Sequence, residues 1–92
     1  MVITSLLLAS SLSAFCNKEA EFADRIMIYR QRDHPISTIM SVAEENTIHQ
    51  LVVVMAYKEP VVKEEWRKIE VSFRFGDKIY DMCIRGTHET NP

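Results

Sequence analysis

The chain has 92 residues, 47% of them apolar and 26% charged, with a formal net charge of −2. That balance fits one domain with a modest core and excludes a second domain or a wholly disordered chain. Charges of both signs are interspersed, so no field exists to hold a nucleic-acid backbone or an anionic membrane surface, and neither partner is expected.

Residues 1–14 read as a signal peptide. Leu6, Leu7, Leu8 and Ala9 form an apolar stretch, and Leu12-Ser13-Ala14 offers a cleavage point after Ala14. No Lys or Arg stands near the start, which counts against that reading. The stretch falls short of the roughly 20 apolar residues that span a bilayer, so no membrane insertion is expected after signal cleavage. Phe15 precedes Cys16 where a lipoprotein signal needs a small residue, which ranks lipidation behind simple secretion. The alternative is a cytoplasmic protein that retains this segment as a packed helix.

From Cys16 onward the pattern is helical. Ala20, Phe22, Ala23, Ile26, Met27 and Tyr29 recur at three- and four-residue steps up to Arg32, and Pro35 interrupts the ladder. A short second helix follows, capped by Asp33 or His34, with Ile36, Ile39, Met40 and Ala43 on its apolar face. Asn46 or Thr47 caps a third, in which Ile48, Leu51, Val52, Met55 and Ala56 repeat until about Lys58, before Pro60. Between Val62 and Ile84 two patterns compete. Val62, Trp66, Ile69, Phe73, Gly76, Tyr80 and Cys83 follow a helical seam, whereas Ile69, Val71, Phe73 and Phe75 alternate as in a β-hairpin over 69–84. The seam extends over the whole segment and the alternation covers only its middle, which favours helix.

Each cysteine occupies the seam of its own helix, Cys16 opening the first and Cys83 closing the last. A Cys16–Cys83 disulfide therefore requires those helices to pack antiparallel, and closing a loop of about 67 residues would stabilise by roughly 4 kcal/mol. The expected fold is all-α, a bundle of three to four helices stapled by one disulfide, with a single domain over 15–86 and a polar tail over 87–92. The competing fold is α+β with the hairpin.

Several stretches resemble a loosely defined group of small exported two-cysteine helical proteins of proteobacteria and their phages. They are Ala20-Glu-Phe-Ala-Asp-Arg-Ile-Met-Ile-Tyr-Arg30, His34-Pro35-Ile36-Ser37, Ala56-Tyr57-Lys58-Glu59-Pro60 and Tyr80-Asp81-Met82-Cys83. The chain departs from that group in having no glycine in the first inter-helix turn. The resemblance implies fold and compartment, periplasmic or secreted, and no activity.

Catalytic chemistry finds little support. His34, His49 and His88 lack the spacing to another ligand that a helix-borne metal site uses, so no metal is expected. The adjacent pairs Glu44-Glu45 and Glu64-Glu65 point in different directions on a helix. With only Gly76 and Gly86, neither a phosphate-cradling loop nor a nucleophile elbow exists. No cofactor and no enzymatic activity are expected. Phe75, Ile79 and Met82 form a second stripe on the last helix, and whatever part of it stays exposed would bind a partner. The resulting expectation is a non-enzymatic protein that binds another protein of the bacterial envelope, for example as an inhibitor in phage lysis control or superinfection exclusion.

Overall fold

The computed structural model describes residues 2–89, with side chains from 11 to 86. Four α-helices follow in order: α1 (Val2–Gln31), α2 (Ile36–Met40), α3 (Thr47–Tyr57) and α4 (Glu65–Glu89), with a 3-10 turn at Ser41–Ala43. The fold is all-α, and among the described residues there is no strand, which settles the contested 69–84 stretch as helix. No helix is long and apolar enough to cross a membrane among the described residues.

Cys16 and Cys83 form a disulfide with Cα atoms 5.7 Å apart. The helices α1 and α4 lie antiparallel, because the same pair also meets at its other end, where Lys68 Nζ donates to the Gln31 carbonyl at 2.8 Å. The core gathers Phe22, Ala23, Ile26 and Met27 of α1, Ile39 of α2, Ala43 of the 3-10 turn, Val52, Val53 and Ala56 of α3, and Phe75 and Ile79 of α4. Both α3 and α4 pack on α1 but barely on each other.

The turn without glycine closes through an aspartate. Asp33 adopts φ 61°, a left-handed conformation that Asp tolerates better than most residues. Around it, Asp33 N donates to the Arg30 carbonyl and His34 N to the Tyr29 carbonyl, each at 3.1 Å. This double bond pattern satisfies the last carbonyls of α1 and ends the helix. The N-cap of α2 is Pro35 rather than Asp33 or His34, and it makes no side-chain cap bond. At α3 the cap is Asn46, whose side chain accepts from His49 N at 3.0 Å.

Three boundaries differ from expectation. The first helix begins at Val2 rather than Cys16, running unbroken through the proposed cleavage point, and the hydroxyls of Ser13 and Tyr80 share a hydrogen bond of 3.1 Å. The last helix begins at Glu65, three residues after Val62. It continues to Glu89, so residues 87–89 of the expected tail are helical; residues 90–92, and the side chains of Leu6 to Ala9 and of His88, lie outside the described residues.

The face that α4 buries is also different. Trp66, Ile69 and Phe73 are 65%, 59% and 60% exposed, whereas Phe75 and Ile79 are 4% and 6% exposed and Ser72 is buried. The buried side thus coincides with the seam read in the sequence at Gly76 and Cys83 and departs from it toward the start of α4, where Trp66, Ile69 and Phe73 face solvent. Gly76 touches the α1 backbone at Ala20, and that close approach turns the Phe75–Ile79 side into the space beside α3. Phe75 and Ile79 therefore pack into the core; of the expected stripe, Met82 alone stays exposed, at 46%.

Candidate functional site

Because α3 and α4 lean on α1 and barely touch each other, a groove of about 460 Å³ opens between them. Phe15 and Glu19 of α1 form its floor. Ile48, Leu51, Val52 and Met55 make one wall, and Ile79, Met82, Cys83 and Gly86 make the other. The lining is almost wholly apolar. Ile48 and Leu51 are each 57% exposed and Phe15 is half exposed, so the rim as well as the floor presents hydrocarbon to solvent. A contiguous apolar surface of this kind is uncommon on a small monomer and marks an interaction site. Ile79 and Met82, expected to contact a partner, are brought together here, with Ile79 deep in the wall and Met82 on its rim; Phe75 is not among the lining residues.

One charged group reaches the floor. Glu19 is buried, and its two carboxylate oxygens lie 2.9 and 3.1 Å from His49 Nε2. Both oxygens share a single ring nitrogen, so Oε2 is close to it without a well-directed hydrogen bond of its own. The His49 ring also stacks on Phe22, with centroids 3.8 Å apart. His49 stands beside the apolar repeat of α3, next to Ile48. It joins α3 to α1, and a histidine with one carboxylate and one aromatic neighbour is a packing element. Among the described residues, no three His, Cys, Asp or Glu side chains come together as a metal site would need. His34 contributes its backbone carbonyl to the Tyr57 hydroxyl at 2.7 Å, and its ring meets Tyr29 edge-on.

A second, smaller pocket, which shares no lining residue with the groove, is formed by Met27, Val71, Arg74, Phe75 and Lys78, with Glu59 opposite. Lys78 Nζ and Glu59 Oε1 stand 3.9 Å apart across it. A helical wheel would have found the α4 wall only with the correct buried face. The α3 wall was legible as the Ile48, Leu51, Met55 repeat, but the sequence gives no sign that its outer half lacks a covering helix.

Gln31 escaped the sequence reading, and it holds the loop that separates the two walls. Only 1% exposed, it donates from Nε2 to the Pro60 carbonyl at 2.9 Å and accepts at Oε1 from Val62 N at 2.8 Å. Nothing in a lone glutamine at a helix end signals such a role, because its partners lie about 30 residues away in the chain.

Comparison with protein-family models, with curated proteins and with solved structures finds no match to this chain. Its function therefore has to be read from its own residues.

Proposed function

We propose that this is an exported, non-enzymatic helical protein that binds a protein partner in the bacterial envelope and acts as its inhibitor, in the manner of small proteins that control phage lysis or superinfection. The observation that carries the binding role is the open apolar groove between α3 and α4, with Met82, Ile48 and Leu51 on its rim. The Cys16–Cys83 disulfide supports an oxidising compartment, where such a bond forms and persists. The resemblance to exported two-cysteine proteins points the same way.

A second reading has one observation in its favour. Ser13, on the far side of the proposed cut, hydrogen-bonds Tyr80, as a retained N-terminal helix in a cytoplasmic protein would. Fractionation followed by intact-mass measurement under non-reducing conditions separates the two. The export reading expects a periplasmic species that begins after Ala14 and is two hydrogens lighter than its reduced form. A full-length, reduced, cytoplasmic species would eliminate it. Affinity capture from envelope extracts, repeated with Leu51→Glu, tests the binding role; capture that ignores that substitution removes the groove from it.

A further inference from the structure

The groove's occupant can be described by its chemistry, and doing so rests on the partner-binding reading above. We infer that the α3–α4 groove receives an amphipathic helix of the partner protein, with apolar residues at i, i+3 or i+4, and i+7 and with acidic residues along the flank that faces α4.

Vacancy is the first reason. Two helices that pack on a common third helix and barely on each other leave the fourth position of a bundle open, and a helix seated there would contact all three. The exposed rim is the second. An acyl chain would sink between the walls and cover little of Phe15, Ile48, Leu51 and Met82, each about half exposed or more. A helix about 10 Å across rests on floor and rim together. Charge is the third reason. Of the α4 residues that line the groove or the second pocket, the charged ones, Arg74 and Lys78, are basic, and Arg85 lies one turn beyond Met82. Their present partners are weak competitors. Glu70 and Asp81 are i,i+4 neighbours of the two arginines, and Glu59 stands 3.9 Å from Lys78; solvent-exposed pairs of this kind contribute little, so a docked carboxylate can displace them. At the floor, by contrast, Glu19 repels acid, which confines the partner's carboxylates to the rim.

The test is selection of a displayed library of helical peptides, about 16 residues long so that the helix is sustainable, against the oxidised full chain. Apolar positions are fixed and flanking positions are randomised among Asp, Glu, Lys, Arg, Ser and Gln. The expected result is enrichment of Asp and Glu on one flank. A synthetic copy of an enriched peptide should lose about tenfold or more in affinity to Leu51→Glu and to the paired reversal Lys78→Glu with Arg85→Glu, and nothing to Trp66→Ser. All four positions are exposed, so folding is preserved, and circular dichroism verifies it. Enrichment of basic flanks, no enrichment, insensitivity to Leu51→Glu, displacement of the peptide by a fatty acid at stoichiometric concentration, or a self-associated chain that excludes it would each overturn the inference. Peptide binding lost with Trp66→Ser but not with Leu51→Glu leaves partner binding standing and removes the groove from it. Failure of export leaves this result untouched.

Discussion

A Cβ atom on Gly76 would stand 3.1 Å from the carbonyl oxygen of Ala20, so the α1–α4 crossing depends on a hydrogen in place of a methyl group. The opposing atom is helix backbone, held one turn from the Cys16 disulfide, and it has little room to retreat. Helix propensity alone would make Gly76→Ala stabilising by about 1 kcal/mol. The contact outweighs that gain, and the expected net effect is a loss of about 1 kcal/mol, growing with Gly76→Val. Gly86 is the internal control. Nothing lies within 4 Å of its added Cβ, so Gly86→Ala should stabilise by up to about 0.5–1 kcal/mol. Urea midpoints of the two variants decide the matter, and a stabilised Gly76→Ala would refute the close crossing.

Gln31 fastens the α3–α4 connection to the end of α1. Replacing it with Leu keeps the volume but strands the Pro60 carbonyl and the Val62 N–H, both bonded to its side chain. The Lys68 ammonium stays in place, since it donates to the backbone carbonyls of Gln31 and Val62. The expected cost is about 2–3 kcal/mol. Hydrogen exchange should report faster exchange at Val62 in particular; an unchanged midpoint together with unchanged exchange there would show that the clamp contributes nothing.

These two sites indicate where the sequence is informative. Helix existence was legible because Pro35, Asn46 and Pro60 punctuate strong three- and four-residue repeats, and the antiparallel arrangement followed from cysteines at opposite ends. The rotation of α4 was not legible. Its heptad stripe is apolar, and so is the Phe75–Ile79 side, and a helix with two apolar stripes gives no local sign of which one is buried in its N-terminal half. That choice is made by tertiary contact at Gly76. Gln31 and the His49–Glu19 pair were illegible for a related reason: a polar residue shows no periodicity, and its partners are 30 or more residues distant. The groove is likewise a property of how α3 and α4 diverge over α1.

The register of α4 makes a sharp stability contrast. Phe75→Ala removes a buried ring and should cost about 3–5 kcal/mol. Trp66→Ser, Ile69→Ser and Phe73→Ser remove exposed apolar side chains and should each change stability by no more than about 0.5 kcal/mol, while raising solubility. Thermal denaturation of the four variants is sufficient. A large loss at Phe73 paired with a small one at Phe75 would mean that α4 is turned the other way.

Tyr57 gives the fold a dependence on alkaline pH. Burial raises the pKa of its phenol above the ordinary value of about 10, a shift that the nearby Arg30 partly offsets. The guanidinium carbon of Arg30 lies 5.2 Å from the ring centre. The native state therefore holds this proton more tightly than the unfolded chain does. Its contribution is fully present below the unfolded value and is lost as pH rises through the native one. Tyr57→Phe also removes the bond to the His34 carbonyl, at a cost of about 1 kcal/mol near neutrality. The stability difference between wild type and Tyr57→Phe should thus shrink from pH 8 to above pH 10; a constant difference would contradict the assignment.

Cys16 is fully buried and Cys83 lines the groove, so the disulfide closes one end of the binding surface as well as tying α1 to α4. Opening it frees a loop spanning 67 residues in the unfolded chain, which the chain-entropy treatment values at about 4 kcal/mol. A core of this size has little more than that to lose. The double variant Cys16→Ser, Cys83→Ser should therefore lower the urea midpoint by most of its wild-type value. Below the remaining transition, α4 should loosen from its Cys83 end while the Gln31 end holds, because the Lys68 and Val62 bonds there do not involve the bridge. Exchange at amides beyond Ile79 should accelerate before exchange near Ser72 does. Equal midpoints for the oxidised protein and the double serine variant would show that packing along α1 and α4, and not the bridge, sets the stability of the fold.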